Sequence, residues 1–170
     1  MFPKLNGKIR NLKTYDFSTL YTSIPHNKLL KEIKDVILRA FEGMKQKYIY
    51  VLNASYGAKW CKKKGGGKGH YFDCNTLTNM ITWLVKNTYV QVGNKIYKQI
   101  IGIPMGTDCA PYLANLFLFS YEFRFMQNQL NVKMWRNYRS SHVLSYIDDL
   151  LGINNDGFMD KYKVLYILQN

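Results

Sequence analysis

The sequence predicts an α+β fold, a small antiparallel sheet backed by helices. Three observations carry this. Segments near 27–42, 75–88 and 108–126 place their apolar residues on one helical stripe. Short apolar runs of strand length lie between and around them, bounded by turn residues. Two pairs of such runs meet at tight-turn signals, Gly93-Asn94 and the paired acids of "SYIDDLL" (145–151). With 170 residues and 47% apolar composition, the chain is long enough for one domain with a sizeable core.

Residues 12–17 read as a short strand ending at Asp16. In 27–42, Leu29, Ile33, Val36, Ile37, Ala40 and Phe41 form the stripe, with Lys28, Lys31, Lys34 and Asp35 mostly away from it. A strand is predicted over 48–52. The tract 59–70, Lys-Trp-Cys-Lys-Lys-Lys-Gly-Gly-Gly-Lys-Gly-His, then reads most simply as a flexible, solvated basic loop, with a grip on nucleic acid by Lys62–Lys68 as the lesser alternative. Asn75 is the expected cap of the second helix, whose stripe is Leu77, Met80, Ile81, Leu84 and Val85. A hairpin joins 89–92 to 95–101, because glycine supplies the positive φ of a two-residue turn. After the turn 102–106, Asp108 is the expected cap of the third helix, with Pro111 in its first turn. Leu113, Leu116, Phe117, Tyr121 and Phe125 form the buried stripe of that helix. Glu122 and Arg124 are expected to be surface or salt-bridge residues of that helix.

The net charge is +13, from 24 Lys and Arg against 11 Asp and Glu. A folded domain this basic faces a polyanion, either nucleic acid or an anionic membrane surface. No stretch is long and apolar enough to span a bilayer, and residues 1–8 lack the apolar core of a signal peptide. Membrane-surface binding would need helices with a basic face around an exposed apolar stripe. These helices are better suited to packing on a sheet. Cys61, Cys74 and Cys109 are odd in number and form no Cys-x-x-Cys pair, which argues against a disulfide framework or structural zinc and for a reducing, intracellular compartment. His26, His70 and His142 have no metal-ligand spacing.

Asp148 and Asp149 interrupt an apolar run, Val143, Leu144, Tyr146 and Ile147 before them, Leu150, Leu151 and Ile153 after. Adjacent carboxylates repel, and the repulsion grows as water is excluded. A tight hairpin with the acids at its turn would present them to a divalent cation. Oxygen-only ligands suit Mg²⁺, and two such ions about 3.5–4 Å apart form the clamp of polymerases and nucleases. A further carboxylate from a separate strand is then required, and Asp16, at a strand end, is the best candidate.

These residues carry a resemblance. "YDFSTLYTSIPH" (15–26), "GNKIYKQIIGIPMGTDCAPYLANLFLFSYE" (93–122) and "YIDDLL" (146–151) resemble three successive motifs of reverse transcriptase palm domains. The wording is closest to the Penelope-like retroelement enzymes, relatives of telomerase. The likeness runs from residue 12 to about 160, and three ordered motifs with compatible spacing make it specific. It implies a reverse-transcriptase-type palm over 1–170, with the 59–70 loop as an insertion and the fingers and thumb largely missing. The chain is expected to be a fragment of a larger polymerase, inactive by itself.

By the same resemblance, Asp16, Asp148 and Asp149 are the catalytic carboxylates. They would hold two Mg²⁺ ions, which Mn²⁺ can replace, together with the backbone carbonyl of Phe17. Amides near Ser18, Thr19 and Leu20 would face the triphosphate, and Tyr21 would be the steric gate against a 2′-hydroxyl. Met105 would lie beside the incoming base, where many relatives carry Gln, and Gly106 where backbone approaches nucleotide or template. Tyr146 would touch the primer end. The implied reaction is RNA-directed DNA synthesis from deoxynucleoside triphosphates on an RNA or DNA template with a primer. Nuclear residence is what a retroelement relationship implies. The competing expectation is a catalytically inactive, nucleic-acid-binding remnant of such a polymerase.

Overall fold

The computed structural model of the protein describes residues 9–16, 19–52, 57–127, 143–146 and 149–154. Their elements, in chain order, are β1 (Leu12–Asp16), α1 (Leu20–Ser23), α2 (His26–Met44), β2 (Tyr48–Val51), β3 (Ala58–Cys61) and β4 (His70–Phe72). Then follow α3 (Cys74–Lys86), β5 (Tyr89–Val92), β6 (Lys95–Lys98), α4 (Ala110–Gln127), β7 (Val143–Tyr146) and β8 (Asp149–Ile153). The class is α+β, as the stripes and short strands predict. The described strands form three antiparallel sheets rather than one, in two compact units. One unit takes residues 1–24 and 105–170, the other 25–104.

In the first unit the strand order is β1-β8-β7, with β8 central. Leu150 and Ile153 of β8 are buried, while Leu12, Lys13 and Thr14 of the outer strand β1 are exposed. The first of the acids in the SYIDDLL run lies outside the described residues. The second, expected in the turn, instead opens β8 and pairs with Tyr146, because the ladder is already closed at that register. Helix α4 begins at Ala110, later than a cap at Asp108 implies. Its first turn is closed by the Ala110 N–H donating to the Thr107 carbonyl at 3.0 Å. Leu113 and Phe117 are buried, Leu116 and Tyr121 half-buried.

In the second unit, Leu29, Ile33, Ile37 and Phe41 recur every four residues on α2 and are all buried. This stripe is narrower than expected: Val36 is half-buried and Ala40 exposed, whereas Glu32 is buried. The helix starts after Pro25, whose fixed φ of −62° suits a chain entering a helix. It stops at Lys45, which adopts φ 52°. Helix α2 packs on α3, and Phe41 meets Trp60 edge to face at 4.9 Å. Burying a Phe in such a contact gains about 0.5–1.5 kcal/mol beyond its area.

The cap of α3 is Asp73, not Asn75. The Asp73 carboxylate accepts from the Thr76 N–H at 2.7 Å, so the helix starts before Asn75 can cap it. Val85 of its stripe is fully buried, but Met80 is exposed. The 59–70 tract is not simply a loop. Its two ends are strands β3 and β4, which flank β2 in the order β3-β2-β4. The β5–β6 hairpin has Gly93 at φ 59° in the first position of its two-residue turn, as a type II′ turn requires. Strand β6 ends at Lys98, short of 101. There the Gln99 side chain donates to the carbonyls of Ile101 (2.9 Å) and Ile103 (3.2 Å) and bends the chain. No helix among the described residues is long and apolar enough to cross a membrane.

Candidate functional site

Strand β1 runs Leu12-Lys-Thr-Tyr-Asp16 and β8 runs Asp149-Leu-Leu-Gly-Ile153 in the opposite sense. Their register sets Leu12 against Ile153, Tyr15 against Leu150, and Asp16 against Asp149. On the other side of β8, Asp149 pairs with Tyr146. The positions Asp16, Asp149 and Tyr146 therefore form one row across the end of the sheet. Directly opposed residues of an antiparallel pair project to the same face, with Cβ atoms about 4.5–5.5 Å apart. Asp16 and Asp149 thus confront each other, and both are exposed.

Like charges opposed in this way destabilise a sheet, so the rest of the ladder must hold the register. Buried Leu150 and Ile153 anchor β8. At the end of the ladder away from the acids, Asn154 clasps the two strands. Its side-chain oxygen accepts from the Arg10 N–H at 2.7 Å and the Asn11 N–H at 3.1 Å. Its own N–H donates to the Asn11 carbonyl at 2.8 Å. Asn154 does this at φ 55°, a left-handed conformation that Asn tolerates better than other side chains. Sequence reasoning missed this residue; its one signal is an Asn directly after an apolar strand.

No protein-family model and no curated protein matches the chain.

The donor set itself says what the row could hold. Carboxylate oxygens are hard ligands, and Mg²⁺ is commonly held by one or two carboxylates, with waters and substrate phosphates completing its shell. Asp16 and Asp149 fit that pattern. A cation between them would offset the repulsion that the register imposes. Among the described residues no group of three or more His, Cys, Asp or Glu could hold a metal ion; Asp148, the third acid expected here, lies outside them.

The remaining expected site residues are distributed as follows. Phe17 and Ser18 lie outside the described residues. The Thr19 carbonyl accepts from the Ser23 N–H at 2.9 Å and the Ser23 hydroxyl at 2.7 Å, which closes the single turn α1. Leu20 is fully buried and Tyr21 half-buried. Met105 and Gly106 sit in the turn before α4, in the same unit as the carboxylates but not in their row, and both are exposed. Gly106 has φ 86°, and an added Cβ would meet nothing within 4 Å. Glycine is needed there for its backbone conformation rather than for room inside the chain.

Two titratable groups outside the row are perturbed. The hydrogen bonds from Thr76 hold the Asp73 carboxyl below its ordinary range. Burial pushes the Glu122 carboxyl up. Glu122 is half-buried rather than fully at the surface, because its turn of α4 is half-covered. Arg124 is exposed as expected, lying over the Tyr121 ring at 4.6 Å.

Proposed function

We propose that the chain is the palm portion of an RNA-directed DNA polymerase, which transfers deoxynucleotides to a primer 3′-hydroxyl as a template directs. The observation that supports this best is the register pairing of Asp16 with Asp149. Two acids from distant parts of the sequence are opposed at one sheet end, against the electrostatic preference of the sheet. A metal site explains that arrangement; a merely structural sheet does not need it.

In this reading Asp16 and Asp149, with Asp148, would hold Mg²⁺. The bound metal supplies charge neutralisation at the phosphate oxygens and a lowered pKa for the attacking hydroxyl. The primer 3′-hydroxyl gives its proton to solvent, its oxygen bonds to the α-phosphorus, and the bond from that phosphorus to the bridging oxygen of the β-phosphate breaks, so that pyrophosphate leaves. Tyr21 lies under the incoming sugar and excludes a 2′-hydroxyl. Met105 and Gly106 border the incoming base, and Tyr146, next to Asp149 in the ladder, borders the primer end. Amides near Ser18, Thr19 and Leu20 face the triphosphate.

Primer extension on an RNA template, with the chain in its full reading frame and Mg²⁺ or Mn²⁺, tests the reading. Asp16→Asn and Asp148→Asn should each lower extension by at least about a hundredfold, because each removes a metal ligand, while primer–template binding persists. Extension at the wild-type rate by both variants would end the metal-ligand assignment. Binding without any extension by the wild-type protein would instead mark a catalytically inactive remnant.

A further inference from the structure

The basic charge of the chain is not spread evenly. Residues 43–72 hold seven lysines and no Asp or Glu, so these 30 residues supply +7 of the net +13. They are also the residues that build the β3-β2-β4 sheet. Register divides the side chains of that sheet between its two faces. Ile49, Trp60 and Phe72 share one face, where Trp60 receives Phe41 of α2. Tyr48, Tyr50, Tyr71 and Lys59 share the other.

The lysine- and glycine-rich connection between β3 and β4 folds over the tyrosine face. The Tyr71 hydroxyl accepts from the Gly65 N–H at 2.9 Å. The Lys64 ammonium lies 5.2 Å from the centre of the Tyr48 ring. A Cβ on Gly69 would come within 2.5 Å of the Tyr50 ring and the Val51 carbonyl, and one on Gly67 within 2.8 Å of the Tyr50 hydroxyl. The glycines thus let the backbone lie on the rings, and the loop has a seat. Lys62, Lys63, Lys64 and Lys68 are all exposed on it. Asp73, the carboxylate at the edge of this module, caps α3 and also feels the charge of Lys64, which leaves the other loop lysines without an acidic neighbour in 43–72.

We propose that this tyrosine face, with the lysine loop seated on it, is a docking surface for the phosphodiester backbone of a nucleic acid, held by charge without reading bases. The proposal goes beyond the nucleotidyl-transfer reading and does not depend on it, since it uses no carboxylate. Several like charges held close together on an anchored loop repel one another, and a polyanion relieves that repulsion while releasing its own counterions. Four lysines on the loop, with Lys59 on the same face of the sheet, carry more charge than one phosphate would match, which suits a polyanion over a single phosphate. Residues 62–69 are only Lys and Gly. They offer no apolar side chain to insert into an acyl layer, which disfavours a membrane.

The test measures binding of the 170-residue chain to a fluorescein-labelled single-stranded RNA and to a DNA duplex over a range of KCl. The variants are Lys62→Gln/Lys63→Gln/Lys64→Gln/Lys68→Gln and, as a charge-matched control, Lys31→Gln/Lys34→Gln/Lys95→Gln/Lys98→Gln. Each phosphate contact contributes about 0.9 to the slope of log K against log[salt] for duplex and about 0.7 for single strands. The loop variant should lose about 3 from that slope and about tenfold or more in affinity at low salt. The control should lose much less. Circular dichroism reports whether the loop variant keeps its fold; if it does not, Lys62→Gln/Lys68→Gln should show about half the slope change. Equal losses from loop and control variants, an unchanged slope, or binding to phosphatidylserine vesicles with none to either nucleic acid would overturn the proposal.

Discussion

Two residues hold the carboxylate row in opposite senses, and their substitutions should separate. Asp16 opposes Asp149 across the ladder. Asp16→Asn should therefore stabilise the metal-free chain by up to about 1 kcal/mol, by removing one of two like charges. It should also abolish any rise in melting temperature that Mg²⁺ gives the wild type. A thermal melt with and without 10-fold steps of Mg²⁺ reads both effects. Asn154 acts the other way. Asn154→Ala loses its two side-chain acceptor bonds and places a Cβ residue at φ 55° without local compensation, at a cost of about 2 kcal/mol. Asn154→Gly keeps the conformation and should cost about half as much; urea denaturation distinguishes them. The acids were legible in the sequence because charge inside an apolar run is conspicuous. Asn154 was not, because a left-handed φ leaves no periodic trace.

At the scale of elements, what could be read followed periodicity and what could not followed local competition. Leu29, Ile33, Ile37 and Phe41 announce α2 through their spacing, and the structure buries all four. The start of α3 was misplaced because Asp73 and Asn75 are both good caps, and only the bond to Thr76 decides between them. Strands β3 and β4 were hidden by composition. Three residues such as His-Tyr-Phe are too few to show alternation beside a run of Lys and Gly, and their pairing with β2 is a tertiary fact. Helix α4 carries a consequence for pH. Burial raises the Glu122 carboxyl, so the folded chain binds a proton more readily there than the unfolded chain does. Stability from this group therefore falls as pH rises from the ordinary Glu pKa through the raised folded value, and the destabilisation is fully present above that value. Glu122→Gln should raise the melting temperature at neutral pH, and the difference should shrink as pH is lowered through that window. Melts of both proteins between pH 4 and 8 check the sign.

The whole molecule departs from its sequence reading in one respect above others. A single sheet backed by three helices was expected, but the chain between 25 and 104 forms its own unit with its own sheets. Nothing in composition marks that boundary, because Pro25 and Pro104 look like ordinary turn residues. The first unit's sheet nonetheless draws its strands from opposite sides of that intervening stretch, with β1 before it and β7 and β8 after it. On a ribosome, β1 is made early and then waits for its partner while the middle of the chain is completed. Closing so long a loop is slow, and an unpaired strand edge is exposed until it closes. Chains stopped at residue 142 should accordingly show rapid amide exchange at 12–16, while α2 and α3 keep their protection. Among the described elements, the carboxylate row would then be the last to form during synthesis, after the lysine-rich sheet is complete.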